Sequence, residues 1–359
     1  MGSIHYEEPK LAPVPVEWTS SEASASEGNK LVVFHVHGGA FFQGSPQSYR
    51  STTTQFASMT GGRVVSVDYR LAPQNPFPAG LLDVLLVYLS LLYPTESETP
   101  AVDARNIVFA GDSSGGTLLC SILQIILHTA DYSTCQFRAR RIHFPLPLPA
   151  GLSVISLPGD LLQSLPSHKE NLVNDLYLNI PWSFPDYPAC PIWPSNPPRS
   201  QHYGDLEIHS HPLVCSVMIK SWLGAPPFWI SSGEEQFLDG GKAVARRAAS
   251  QGVGVSWTVY EAMPHCFSML PGLNQSAQSK LIMKKWAQFC KECVLSPNSF
   301  KGRVRASKVD FRTVTETQVA FEDPRDLPIN EIEGLILRKI LDLEREFTGA
   351  WKAKTCSNL

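Results

Sequence analysis

Asn106-Ile107-Val108-Phe109-Ala110-Gly111-Asp112-Ser113-Ser114-Gly115 decides the fold of this 359-residue chain. The apolar run 107–110 reads as a buried strand, and Thr117 to His128 reads as a helix. Between them stands a serine flanked by glycines, the strand–turn–helix arrangement known as a nucleophile elbow. Glycines on either side admit a strained, tight turn, and the Ser113 hydroxyl then stands clear of the sheet edge. The pentapeptide alone recurs by chance in unrelated chains; the strand before it and the helix after it give it weight.

Working upstream, Lys30 to Val36 (KLVVFHV) reads as a second buried strand that runs into His37-Gly38-Gly39-Ala40-Phe41. A tetrahedral oxyanion needs donors held about 2.7–3.1 Å from the developing charge. Backbone N–H groups serve best where no bulky side chain blocks the approach. Gly39, Ala40 and Ser114 are the expected N–H donors, and Gly38 is expected to supply the bend of this oxyanion loop.

A serine hydroxyl is nearly inert at neutral pH and needs a base, which in turn needs an orienting acid. On a sheet of this kind the order along the chain is Ser, then Asp or Glu, then His, each on the loop after a strand. Downstream, Phe228 to Ser232 reads as a strand ending in Gly233-Glu234-Glu235-Gln236-Phe237-Leu238-Asp239. Val255 to Tyr260 reads as the next strand and ends in Glu261-Ala262-Met263-Pro264-His265. His265 is therefore the expected base. Of the other histidines, His35 reads as core, His37 as a pin for the glycine loop, and His209 and His211 as solvated. For the acid, Glu235 is the first choice because it sits at the strand's end, with Asp239 second and Glu234 third.

Strands at about 31–36, 63–68, 106–111, 150–156, 227–232 and 255–260 alternate with helical stretches. That alternation calls for an α/β fold, a mostly parallel sheet with helices on both faces. An early strand pair within 10–18 is weakened by its prolines. A long insertion, about 157–225, separates the fourth and fifth strands. It is proline-dense from Pro181 to Pro198, and Trp182, Phe184, Tyr187 and Trp193 fit either a cap over the site or a packing cover.

These motifs resemble those of the α/β-hydrolase superfamily, in its hormone-sensitive-lipase-like branch of esterases and lipases with HGG and GDSxGG signatures. HGGAF and GDSSGG match both signatures, and Val67 to Pro73 (VDYRLAP) matches the segment between them. The third motif maps its acid onto Glu235, followed by Phe237 and Asp239, and the final H-G-F appears as His265-Cys266-Phe267. The resemblance covers about residues 30–295 and implies a serine carboxylic-ester hydrolase with the triad Ser113, Glu235 and His265. Gly38, Gly39, Ala40 and Ser114 fall on the oxyanion-binding motif. No cofactor or metal is implied. The expected substrate is a small to medium acylated molecule, such as a natural-product or sterol ester. Acyl transfer, lactonase or cyclisation chemistry would use the same triad, and the branch also contains ligand receptors that have lost the base. Two departures stand out: glutamate replaces the usual aspartate, and the segment after Cys293 has no counterpart in the core motifs.

With 43% hydrophobic residues the chain can bury one large core, so residues 1–295 are expected to form one elaborated catalytic domain. Residues 296–359 form an extension, polar and irregular to Asp326. From Pro328 to Trp351 it is an amphipathic helix with Ile332, Leu335, Ile336, Ile340, Leu343 and Phe347 on one face. A net charge of −3 implies no nucleic-acid surface. No apolar run is long enough to span a membrane and the N-terminus carries no secretory signal. A cytoplasmic protein with reduced thiols is expected, Cys290 and Cys293 being two free thiols one turn apart. The sequence leaves a homo-oligomer open.

Overall fold

The computed structural model describes residues 13–25, 29–94, 100–131, 134–137, 140–143, 146–175, 193, 199 and 201–356. In chain order its strands are β1 (Val16–Thr19), β2 (Val32–Val36), β3 (Arg63–Val67), β4 (Ile107–Asp112), β5 (Thr134–Phe137), β6 (Arg140–His143), β7 (Gly151–Ile155), β8 (Phe228–Gly233), β9 (Val255–Tyr260), β10 (Val304–Val309) and β11 (Glu316–Val319). The α-helices are α1 (Arg50–Thr60), α2 (Ala79–Leu92), α3 (Ser113–Leu127), α4 (Ser167–Glu170), α5 (Leu238–Ser250), α6 (Ala277–Leu295) and α7 (Ile329–Cys356).

Nine strands form one sheet in the order β1-β3-β2-β4-β7-β8-β9-β10-β11. Only the edge strands run antiparallel, β1 against β3 and β11 against β10. The central strands are apolar and buried along their whole length, as strands covered on both faces must be. Successive side chains of β2 feed opposite cores. Val32, Phe34 and Val36 join the face covered by α2, α3 and α5, while Val33 joins the face covered by α1 and α6.

The chain leaves β2 toward β3 on one side and returns to β4 on the other, with Val36 level with Gly111. This reversal opens a crevice at the carboxyl ends of β2 and β4, the place where open α/β sheets bind ligands. The two glycine-rich loops of the sequence both end there.

The segment after residue 295 is built into the same sheet and core rather than set apart. The stretch expected to be irregular contains β10, parallel to β9, and β11. Both are short strands rich in charged and polar residues, the composition typical of a sheet edge and the reason periodicity passes over them. Of the early pair considered near the N-terminus, β1 is present. α7 buries Ile332, Ile336 and Ile340 in the main core and packs on the short helix Leu206–Ser210. Glu333 takes Arg247 and Lys220 as ion-pair partners, while Lys242 reaches Asp326 at 2.5 Å. Cys290 and Cys293 are buried free thiols. No helix among the described residues is long and apolar enough to cross a membrane.

Candidate active site

The elbow is strained at the serine itself: Ser113 has φ +50°, while neither flanking glycine lies in the left-handed region. The glycines serve a different need, close approach. A Cβ on Gly115 would lie 2.1 Å from the Val36 carbonyl oxygen and 2.5 Å from that of His37, so α3 can start against β2 only without one. A β-to-α turn with a positive φ at its apex leaves the Ser113 side chain standing above the sheet.

His265 Nε2 lies 2.9 Å from Ser113 Oγ, and His265 Nδ1 lies 2.6 Å from Glu235 Oε2. Both Glu235 and His265 are buried, 0% and 1% exposed. Burial alone would push the imidazole pKa down, but the Glu235 carboxylate, with Asp175 and Asp112 beyond it, holds it above its usual value. The other two acids have different partners. Glu234 Oε2 accepts the Ala262 N–H (3.1 Å), and Asp239 Oδ2 accepts the Ser167 N–H (2.8 Å) at the start of α4.

The loop after β2 is wound through three positive φ angles, Gly39 (+107°), Ala40 (+54°) and Phe41 (+67°). Gly38 does not supply the bend expected of it, nor a free donor. Its N–H is shared by Tyr49 Oη and Asp112 Oδ1, each 3.2 Å away. By contrast the N–H groups of Gly39, Ala40 and Ser114 have no hydrogen-bond partner among the described residues. Residues 67–73 brace this loop from below. The Tyr69 ring stacks on His37 at 4.3 Å and its hydroxyl donates to the His37 carbonyl (2.9 Å), while the Ala72 N–H donates to the Phe41 carbonyl (2.8 Å). His37 thus pins the loop, its Nδ1 2.7 Å from the Gly38 carbonyl.

Asp175, which carried no signal in the sequence, joins the acid loop to the base loop. One of its oxygens accepts the Gln236 N–H (2.9 Å) and the other the His265 N–H (3.2 Å). Cys266, with φ +50°, occupies the left-handed position where the H-G-F pattern has glycine. Its N–H donates to Ser156 Oγ at 3.0 Å.

A pocket opens onto Ser113 and His265. Ala40, Phe41 and Phe237 line it from the main body, and Pro158, Leu161, Gln201, His202, Tyr203 and His209 from the insertion. His209 is therefore not the solvated residue the sequence suggested; it is 4% exposed. His202 was overlooked altogether, and its Nε2 lies 3.2 Å from the Ala40 carbonyl. Of the aromatic layer expected over the site, Trp193 is fully buried, whereas Trp182, Phe184 and Tyr187 lie outside the described residues.

Residues 33–269 match the α/β-hydrolase fold family, and the chain belongs to it. It is a carboxylesterase- or lipase-like hydrolase of carboxylic esters. It is 28% identical to an esterase of Acinetobacter venetianus over 76% of this chain and 78% of that one. An acetyl-hydrolase of Streptomyces hygroscopicus is 27% identical, with 69% and 71% covered. A solved hormone-sensitive lipase from a metagenome library superposes with a TM-score of 0.59 and 26% identity, over 80% of this chain and 86% of the other.

Proposed function

We propose that the protein hydrolyses small to medium acylated substrates through a covalent acyl-enzyme on Ser113. The carrying observation is the continuous run from Glu235 to His265 to Ser113, with steps of 2.6 and 2.9 Å. His265 takes the proton as Ser113 Oγ attacks the ester carbonyl, and Glu235 fixes the imidazole tautomer and offsets its charge. The oxyanion forms against the N–H groups of Gly39, Ala40 and Ser114. Each such donor supplies about 3–4 kcal/mol of transition-state stabilisation. His265 then protonates the leaving alcohol, and water repeats the sequence on the acyl-enzyme.

Gly38 acts in this reading as a support, tied to Asp112, and not as a donor. Residues 157–225 serve as the cap, and the segment after 295 braces it through α7. Buried free thiols at Cys120, Cys215, Cys266, Cys290 and Cys293 are compatible with a reducing compartment, and the cytoplasm is the location proposed.

Stopped-flow hydrolysis of 4-nitrophenyl esters of increasing acyl length tests the mechanism. The expected result is a nitrophenolate burst stoichiometric with enzyme wherever deacylation is slow, and its loss in Ser113→Ala. Undiminished turnover by that variant would reject it.

A further inference from the structure

Two polar side chains in the cap wall of the pocket have atoms with no partner among the described residues. His209 Nδ1 and Tyr203 Oη are each buried and make no hydrogen bond to any described residue, and the two residues are 4% and 5% exposed. Both line the same pocket as Ser113 and His265, with Gln201 beside them. Burial, and His202 nearby, push the His209 imidazole down to about 4, so near neutral pH it is an uncharged ring with one donor and one acceptor nitrogen. Burial likewise keeps the Tyr203 phenol protonated, a donor as well as an acceptor. Neither residue is needed for the proton relay. Their orientation is fixed by packing: Tyr203 stacks on Phe41 at 3.8 Å, and His209 sits on the short helix 206–210 held by α7.

Buried polar atoms without partners are rare, because each costs free energy unless something completes its hydrogen bond. Two residues that carry such atoms line the pocket of Ser113, an arrangement that suits a polar substrate group better than a plain alkyl chain. We infer that His209 and Tyr203, with Gln201, form a specificity subsite for a neutral hydroxyl group, alcoholic or phenolic, on the substrate ester. A hydroxyl both donates and accepts, so it satisfies the imidazole nitrogen and the phenol together. A carboxylate or ammonium is disfavoured, since neither His209 nor Tyr203 offers a compensating charge. The inference rests on the ester-hydrolase reading and narrows its substrate class to hydroxylated esters.

Matched ester pairs test it, one pair with and without a hydroxyl on the acyl side (methyl 4-hydroxyphenylacetate and methyl phenylacetate) and one on the alcohol side (4-hydroxybenzyl acetate and benzyl acetate). In the wild type, kcat/KM is expected to favour the hydroxylated member by about 10²-fold or more in one of the two arms, as sites built to bond a hydroxyl do. Tyr203→Phe, which keeps the ring on Phe41, and His209→Phe should each collapse that ratio at least tenfold. The readout is the ratio within one preparation, so partial loss of folded enzyme does not affect it. Turnover of both pairs without hydroxyl preference, or a preference that survives both substitutions, overturns the subsite while leaving the hydrolase reading intact. Water filling the subsite would give that result. Absence of turnover for every ester would sink the hydrolase reading, and this inference with it.

Discussion

Tyr49 Oη donates to Asp112 Oδ2 at 2.8 Å, directly behind the nucleophile. The other oxygen of Asp112 accepts the Gly38 N–H, so one buried carboxylate ties the elbow to the glycine loop after β2. Burial pushes Asp112 up to about 6, and the Tyr49 hydroxyl is the foremost of the groups opposing that rise. Tyr49→Phe removes it. The expected outcome is a kcat about tenfold lower with little change in KM, and a stability loss of about 1–3 kcal/mol from the under-paired carboxylate. Unchanged kcat would show that the loop is held without this bond.

The pH profile follows from the charge around His265. The imidazole must be neutral to accept the serine proton, so kcat/KM falls as pH drops through its pKa in the free enzyme. Because Glu235, with Asp175 and Asp112 beyond it, more than offsets burial and raises that pKa, the acid limb of the profile should lie above 6.5. Glu235→Gln removes the charge and leaves burial less opposed. The limb should move to lower pH while kcat falls by about 10³–10⁴-fold, and Glu235→Asp should lose less. A limb that stays in place in Glu235→Gln would assign the titration to another group.

Gly115→Ala tests the close approach of α3 to β2. Its Cβ would press on two backbone carbonyls at 2.1 and 2.5 Å, neither of which can rotate away. The helix start must shift, and with it the Ser114 N–H relative to Gly39 and Ala40. Differential scanning calorimetry should show a Tm lowered by at least several degrees, and kcat should fall by roughly 10²-fold. A variant as stable and active as the wild type would contradict the packing described.

Acid should begin to destabilise the fold below pH 6.5, through its buried histidines. Burial pushes His35 down to about 3, and His37 and His209 down to about 4. Below pH 6.5 the unfolded chain takes up these protons and the folded chain does not, so stability falls as pH falls. Asp112, raised to about 6, works the other way below pH 6, and His265, held above its usual value, does so above 6.5, while the lowered His168 adds to the loss. The lowered histidines outnumber the opposing groups, so stability falls overall, by about 1.4 kcal/mol per pH unit for each histidine left uncompensated. Urea midpoints at pH 7 and pH 5 give the check, and equal midpoints would contradict it.

The tail helix supports the insertion that lines the pocket as well as the core. Ile336 is fully buried, and Ile336→Ala should cost about 2–5 kcal/mol. Because α7 packs on the helix that carries His209, KM should rise more than kcat falls. Equal KM values would separate the tail from the substrate pocket.

The parts of the site legible in the sequence are those set by local backbone. The elbow, the glycine loop and the His265 loop each follow a strand within a few residues, so periodicity and spacing locate them. Glu235 stood out from Glu234 and Asp239 as the residue at a strand's end and by its match to the acid of the third motif; the competing bonds of the other two to Ala262 and Ser167 are tertiary and left no trace. The same holds for Asp175, His202, Tyr203 and His209. They come from an insertion without periodic pattern, and packing alone brings His202, Tyr203 and His209 to the Ser113 pocket and Asp175 to the His265 loop. Gly38 misled because glycine suggests a bend, whereas here the left-handed turns fall on Gly39, Ala40 and Phe41. β11, an exposed edge strand, lacks the apolar alternation that reveals a strand, and β10 beside it mixes charged residues with its few buried ones.

Intact-mass spectrometry after treatment with a fluorophosphonate tests the proton relay most directly. The wild type should gain one phosphonyl group, mapped to the peptide containing Ser113, while Ser113→Ala gains none and His265→Ala reacts at least 10²-fold more slowly. A wild-type chain that stays unmodified, or an adduct on another residue at an undiminished rate in Ser113→Ala, would contradict the account.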